Sequence, residues 1–278
     1  MNVEYACSTS MEDLSKKAKQ LRRDVMKCIA GVGVGHIGGA LSIIEILTAL
    51  YYREMNVDPS RPDMENRDRL ILSKGHAGPA LYAVLADKGY FPKEWLDTLN
   101  QLGTNLPSHC DMKKTPGVDM TTGSLGQGFS CAVGVALGGR IKKSDAWVYT
   151  IIGDGESQEG QIWEAAMYAA HIKLGNLIAF CDCNNLQIDG YVSEINTLGE
   201  IGSKWRSFGW DVHEINGHSF EEIFAAIKES KLSRDKPHMI ICGTVKGKGV
   251  SFVEKAGPAN HNMTLSADEL EQALRELA

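Results

Sequence analysis

The chain has 278 residues, 43% of them apolar, and a formal net charge of −6, long enough for one α/β layer structure with a large core. The acidic balance argues against a general nucleic-acid or membrane-surface role, and no run of roughly eighteen apolar residues offers a transmembrane helix. Seven cysteines without a CxxC pair, and no apolar signal sequence at the start, argue against a disulfide-stapled secreted domain and make the cytoplasm the expected compartment.

The first periodic stretch is "MEDLSKKAKQLRRDVMKCIA", where Leu14, Ala18, Leu21, Val25 and Ile29 recur at helical steps. Its polar side carries Lys16, Lys17, Lys19, Arg22 and Arg23, which read as a solvated face rather than a binding patch. Next comes "GVGVGHIGG", in which Gly33 to Gly38 spell GxGxxG, the spacing of a dinucleotide-binding turn. That turn needs a strand leading in, because the pyrophosphate rests on a helix N-terminus at the end of a parallel strand. Here a helix leads in. The following "SIIEILTALYYREM" opens with Ser42 and Glu45 at capping-box spacing and continues with Ile46, Leu47, Leu50 and Tyr51 at helical intervals. The glycines therefore join helix to helix, and a nicotinamide or flavin oxidoreductase is the weakest reading of them.

Further along, short apolar runs alternate with helical patterns. Strands are expected near 69–73, 147–152, 176–182, 210–215 and 238–245, and helices near 77–88, 125–140, 159–172, 200–208, 219–230 and from Ser266, with Glu269 as its capping partner. Non-alternating Val/Ile/Leu content in each strand indicates a doubly wound, mostly parallel sheet with helices on both faces. No repeat or linker divides the chain, so a single domain over 1–278 with an N-terminal helical segment at about 11–55 is expected. Cys181 and Cys183, two apart in a strand, share a face and read as packed, reduced thiols.

Ligands in such sheets bind beyond the carboxyl ends of the strands. There lie "GDGESQEG" and "CNNLQIDG", and Asp154 and Asn184 stand thirty residues apart, about one strand, helix, strand crossover. A carboxylate and an amide oxygen at adjacent strand ends, with carbonyls nearby, make a hard-oxygen set for Mg²⁺ or Ca²⁺ that leaves room for phosphate and water. Gly153 and Gly155 allow a phosphate close to the backbone.

"GDG" followed by about thirty residues and "NN" resembles the thiamine-diphosphate-binding motif. With "GHIGG", "SKGHAGPALYAVL", "GVDMTTGSLGQGFSCAVGVALG" and "GTVKGKGVSF" in this order, nearly the whole chain is similar to the N-terminal half of transketolase. The resemblance implies the thiamine-diphosphate-binding fold, with Asp154, Asn184 and the carbonyl of Leu186 holding a divalent ion (Mg²⁺, or Ca²⁺ or Mn²⁺) and Gly155 touching the diphosphate. Gly123, Ser124 and Leu125 would line the aminopyrimidine, Ile188 would pack against the cofactor, and Glu159 would sit at the contact between two cofactor sites. His36, His76, His109 and His261 would ring the reacting carbon, His76 and His261 also touching the cofactor. Of these, His109 and His261 are expected to move protons and His36 to meet substrate oxygens. His171, His213, His218 and His238 match no motif position and read as surface or structural residues. Lys246 is open between a phosphate-cradling role and an exposed turn.

The chain departs from the family at Ser124, Val34 and Ile37, and at Asn260 and Asn262 around His261. The family's full-length members are about twice as long, so the resemblance implies a separate C-terminal subunit, an α₂β₂ assembly, and ketol transfer between a ketose phosphate and an aldose phosphate. Alternatives are a transketolase for an unusual or branched pentulose phosphate, the α chain of a 2-oxo acid dehydrogenase, and a noncatalytic thiamine-diphosphate-binding regulatory subunit.

Overall fold

A computed structural model of the chain describes residues 9–188 and 190–278. Helix α1 (Met11–Val32) starts at Ser10, whose hydroxyl accepts the Asp13 N–H, and ends at Gly33, which takes the left-handed conformation at φ 86°. Leu14, Ala18, Leu21, Val25 and Ile29 are all at most 2% exposed, and burying the four larger ones contributes roughly 1.5–3 kcal/mol each.

Two readings of this region are overturned. Arg22 is not part of a solvated face: it is 4% exposed, and its guanidinium forks onto both carboxylate oxygens of Glu45 at 2.7 Å. The expected helix from Ser42 is also not one helix. A short α2 (Ile37–Leu41) ends at Ser42, α3 (Ile44–Ala49) follows, and a wider turn, Leu50–Glu54, completes the run. The capping box fails because both side chains bond distant partners, Ser42 donating to Asp182 and Glu45 accepting from Arg22.

Five parallel strands form the sheet: β1 (Arg69–Leu72), β2 (Val148–Gly153), β3 (Leu177–Cys183), β4 (Asp211–Asn216) and β5 (His238–Gly243), in the order β1-β2-β3-β5-β4. One face packs α1, α3 and Gly78–Lys88 (α4) against Tyr149, Ile151, Ile178 and Phe180. The other packs Gln127–Ile141 (α5) and Gly160–His171 (α6), with Trp205 and Trp210, against Ile71, Ile152, Ala179 and Met239. Both faces are covered, as the mostly apolar β1, β2, β3 and β5 imply, while the edge strand β4, DVHEIN, is partly exposed. Cys181 lies in the second core with Cys183 packed beside it. Ile201–Ser207 (α7) and Phe220–Ser230 (α8) complete the layers, and Ala267–Glu276 (α9) carries the expected Ser266–Glu269 capping box.

Register aligns the strand ends. Gly153 pairs with Asp182, and Asp182 with Cys242, so β2, β3 and β5 end at one level and their following loops open on one side.

Candidate active site

At that edge lies a cavity of about 590 Å³. His76 sits in a tight turn between β1 and α4, and Gly75 beside it has no room for a side chain, since a Cβ would lie 2.7 Å from Thr122 Oγ1 and 2.8 Å from the Gly123 nitrogen. This close approach brings the 122–125 turn and His109 against the β1 loop. Asp154 follows β2, and Asn184, Leu186 and Ile188 follow β3. His36 precedes α2, and His261 follows the turn Gly257–Asn260. A two-residue antiparallel ladder, Val34 with Thr264 and Gly35 with Met263, ties these last two segments together.

The four motif histidines converge. His36 lies 5.5 Å from His76, 5.5 Å from His109 and 5.2 Å from His261, and His76 lies 5.0 Å from His261, ring centre to ring centre. Burial lowers each one's proton affinity. His36 falls to about 4 through burial, then His109 and Lys246; His261 falls to about 3 through burial, then Lys246 and His36. His76 is driven down by burial and Lys74, and His109 by burial. All four are neutral imidazoles near pH 7, able to accept a proton or donate an N–H.

Asp154 is 5% exposed and its two oxygens accept the Gly155 N–H at 2.7 Å and the Asn185 N–H at 2.6 Å. Burial, then the charge of Asp182, push its carboxyl up to about 6, against those two hydrogen bonds and Lys74. Asn184 donates to Asp182 at 3.0 Å and accepts the Leu186 N–H at 3.1 Å. Lys246 donates to the Leu186 carbonyl at 3.3 Å and lies 3.2 Å from His261 Nδ1. It is 4% exposed, so the exposed-turn reading fails; burial, then Lys74, lower it to about 8.

Gly123, Leu125, Gly155 and Glu159 border the same cavity, whereas Ser124, exposed, does not. Ile188 is at the rim and 61% exposed. The four other histidines lie away from it: His218 bonds Glu45 and the Val245 N–H, His238 meets Asp211 and the Ser233 carbonyl, His213 faces Asp211 and Glu229, and His171 is exposed.

Two buried carboxylates escape the motif pattern. Glu156 accepts the Ser73 hydroxyl at 2.5 Å, the Gly126 N–H at 2.9 Å and the Gly153 N–H at 3.1 Å, joining three loops. Asp182, with Lys74, joins others. Its one signal is a lone charge inside the apolar run "NLIAFCDC", since a charge buried on both sides of a strand needs a partner.

Comparison with known proteins agrees with this geometry. Residues 14–278 match the family model described as "Transketolase, thiamine diphosphate binding domain". The chain is 56% identical over 265 residues to the 6-deoxy-6-sulfo-D-fructose transketolase subunit SqwG of Clostridium sp. (strain MSTE9), covering 95% of this chain and 96% of that one. It is 40% identical over 268 residues to an apulose-4-phosphate transketolase subunit of Phocaeicola vulgatus, covering 96% and 95%. The crystal structure of transketolase from Campylobacter jejuni superposes with a TM-score of 0.90 at 32% identity, over 96% of this chain and 43% of that one. The chain belongs to the transketolase family of transferases, as an N-terminal subunit with the thiamine-diphosphate-binding fold. It thus spans less than half the length of the full-length transketolases it matches, and nearly all of the relatives named as subunits.

Proposed function

We propose that this chain and a separate C-terminal subunit form a two-chain transketolase that moves a two-carbon ketol unit from a ketose to an aldose, as an α₂β₂ assembly in the cytoplasm. The observation that carries the reading is the convergence of four neutral histidines beside Asp154 and Asn184 in one cavity. The subunit partition is supported by relatives of this length being named subunits, and the compartment by the described cysteines all being free thiols.

Thiamine diphosphate, when bound, supplies the electron sink for the carbanion left as C2–C3 of the ketose breaks. A divalent cation fits the donor set beside it. Among the described residues no three His, Cys, Asp or Glu side chains are grouped to hold a metal, but Asp154, Asn184 and the Leu186 carbonyl are hard oxygens, each with lone-pair capacity beyond the bonds it makes. Mg²⁺ takes few protein oxygens and completes its shell with phosphate and water. The Leu186 carbonyl already faces a cation, the Lys246 ammonium.

The chain's own groups do the rest. The Gly155 backbone lets the diphosphate approach, Gly123, Leu125 and Ile188 give the cofactor apolar walls, and Lys246 adds positive charge. Ser124 we assign to the start of α5 rather than to contact, because it lies outside the cavity. Glu159, at the rim where α6 begins, faces the assembly contact. His109 or His261, uncharged, takes the proton of the C3 hydroxyl, and His36 steadies substrate oxygens.

For the donor we propose a sulfonated ketose, since identity is 56% to the relative named for 6-deoxy-6-sulfo-D-fructose and 40% to the one named for apulose 4-phosphate. The test is ketol transfer by the two chains produced together, with thiamine diphosphate and Mg²⁺, from 6-deoxy-6-sulfo-D-fructose and from a phosphorylated ketose. The expected result is that both chains are required and that the sulfonated donor has the higher kcat/KM. Activity of this chain alone refutes the partition, and preference for the phosphorylated donor refutes the substrate.

A further inference from the structure

Asp182 is fully buried at the end of β3, and its carboxylate gathers four side-chain donors from four separate segments. Oδ2 accepts from Lys74 Nζ at 2.5 Å, from Ser42 Oγ at 2.7 Å and from Asn184 Nδ2 at 3.0 Å, and Oδ1 accepts from Thr244 Oγ1. Those segments carry "GHIGG", "KGHAG", "NN" and "TVKGKG". Lys74, 2% exposed, also donates to the Gly39 carbonyl at 3.0 Å.

A fully buried ion pair is weak support for stability as such, because apolar side chains of similar volume serve as well. What a carboxylate does here, and an apolar group would not, is discriminate between the two ends of an amide. The oxygen and nitrogen of an asparagine are nearly equal in shape but opposite in hydrogen bonding, and a carboxylate only accepts. Facing Asp182, Asn184 must turn its Nδ2 inward, which leaves Oδ1 with the Leu186 N–H, in the loop beside Asp154. Lys74, Ser42 and Thr244 also donate to Asp182, so all four of its side-chain partners meet it as an acceptor.

We propose that Asp182, charge-balanced by Lys74, is the positioning residue that locks the Asn184 amide with its oxygen toward the cavity and so sets the affinity of the site for a divalent cation. The inference rests on the cation role proposed above for Asp154 and Asn184. It makes Lys74, which lines the cavity as Lys246 does, the counter-charge of Asp182.

The experiment reads the Mg²⁺ concentration for half-maximal thiamine diphosphate uptake, by calorimetry, on this chain assembled with its C-terminal subunit, and the melting temperature alongside. Lys74→Met with Asp182→Leu removes both charges together and leaves none uncompensated. Half-saturation shifts up about 10- to 100-fold, the usual cost of losing an outer-shell orienting group. Adding Asn184→Asp then restores uptake, because a carboxylate presents an oxygen whichever way it turns. If the apolar pair melts without a cooperative transition, Lys74→Met with Asp182→Asn keeps the side-chain shape and enters the same comparison. Unchanged half-saturation in the paired variant, or a loss that Asn184→Asp leaves unrepaired, overturns the positioning role while leaving the site intact. Full Mg²⁺ dependence retained by Asp154→Ala overturns the cation site itself, and this proposal with it.

Discussion

Replacing Arg22 with methionine removes four hydrogen bonds at once: two to Glu45 at 2.7 Å, one to the Lys248 carbonyl at 2.8 Å and one to the Leu41 carbonyl at 3.3 Å. The two side chains are 5% and 10% exposed, so solvent does little to replace what is lost. Burial pushes the Glu45 carboxyl up, yet His218 and Arg22 together hold it down to about 2. Removing one member of such a pair costs about 3–5 kcal/mol, mostly from the charge left behind. His218, 2.9 Å from Glu45, keeps one favourable contact, which places the loss near ~3 kcal/mol. Chemical denaturation of the chain measures it. Arg22→Met with Glu45→Met strands no charge and recovers most of the loss. A single-variant loss below about 1 kcal/mol would mean that the pair behaves as a solvent-screened surface bridge, and would refute the reasoning.

His36→Ala lowers kcat/KM for ketol transfer by about 10²–10³ while cofactor affinity by calorimetry stays near that of the unaltered chain; an equal fall in both places His36 in cofactor binding instead. The raised carboxyl of Asp154 gives a pH signature. Its folded value of about 6 lies above the ordinary 3.8, so its contribution to stability is present at low pH and is lost as pH rises through 6, a swing of ~3 kcal/mol over that interval. Asp154→Asn, close in shape to the protonated carboxyl, escapes that loss. The cofactor-free variant is therefore more stable than the unaltered chain at pH 8 by up to ~3 kcal/mol, and of similar stability at pH 4, by denaturation at both pH values.

Four of the five strands are legible because each is a short, mostly apolar run that needs no knowledge of its neighbours, and the site loops because sheets of this class bind ligands at one edge. Ser42, Glu45 and Arg22 mislead for one shared reason. Local spacing assigns a polar side chain to its nearest helix turn or to water, whereas Ser42 bonds a residue 140 positions away and Arg22 one 23 positions away. Glu156 and Asp182 are harder to read for the converse reason: most of their donors come from other loops, and the motif in a loop does not say which buried group that loop bonds. Motifs point to groups that face the cavity, and only the three-dimensional arrangement reveals the groups that hold those in place.

The short ladder between Val34–Gly35 and Met263–Thr264 carries a consequence for synthesis. The strand that flanks the His36 loop is made more than two hundred residues after it, so the loop waits for that later segment. The sheet strands through β5 are made before that partner appears, and pairing across such a separation closes late. The cavity thus takes its shape after the sheet strands are made, and a nascent chain with a finished sheet does not yet hold His36 and His261 together.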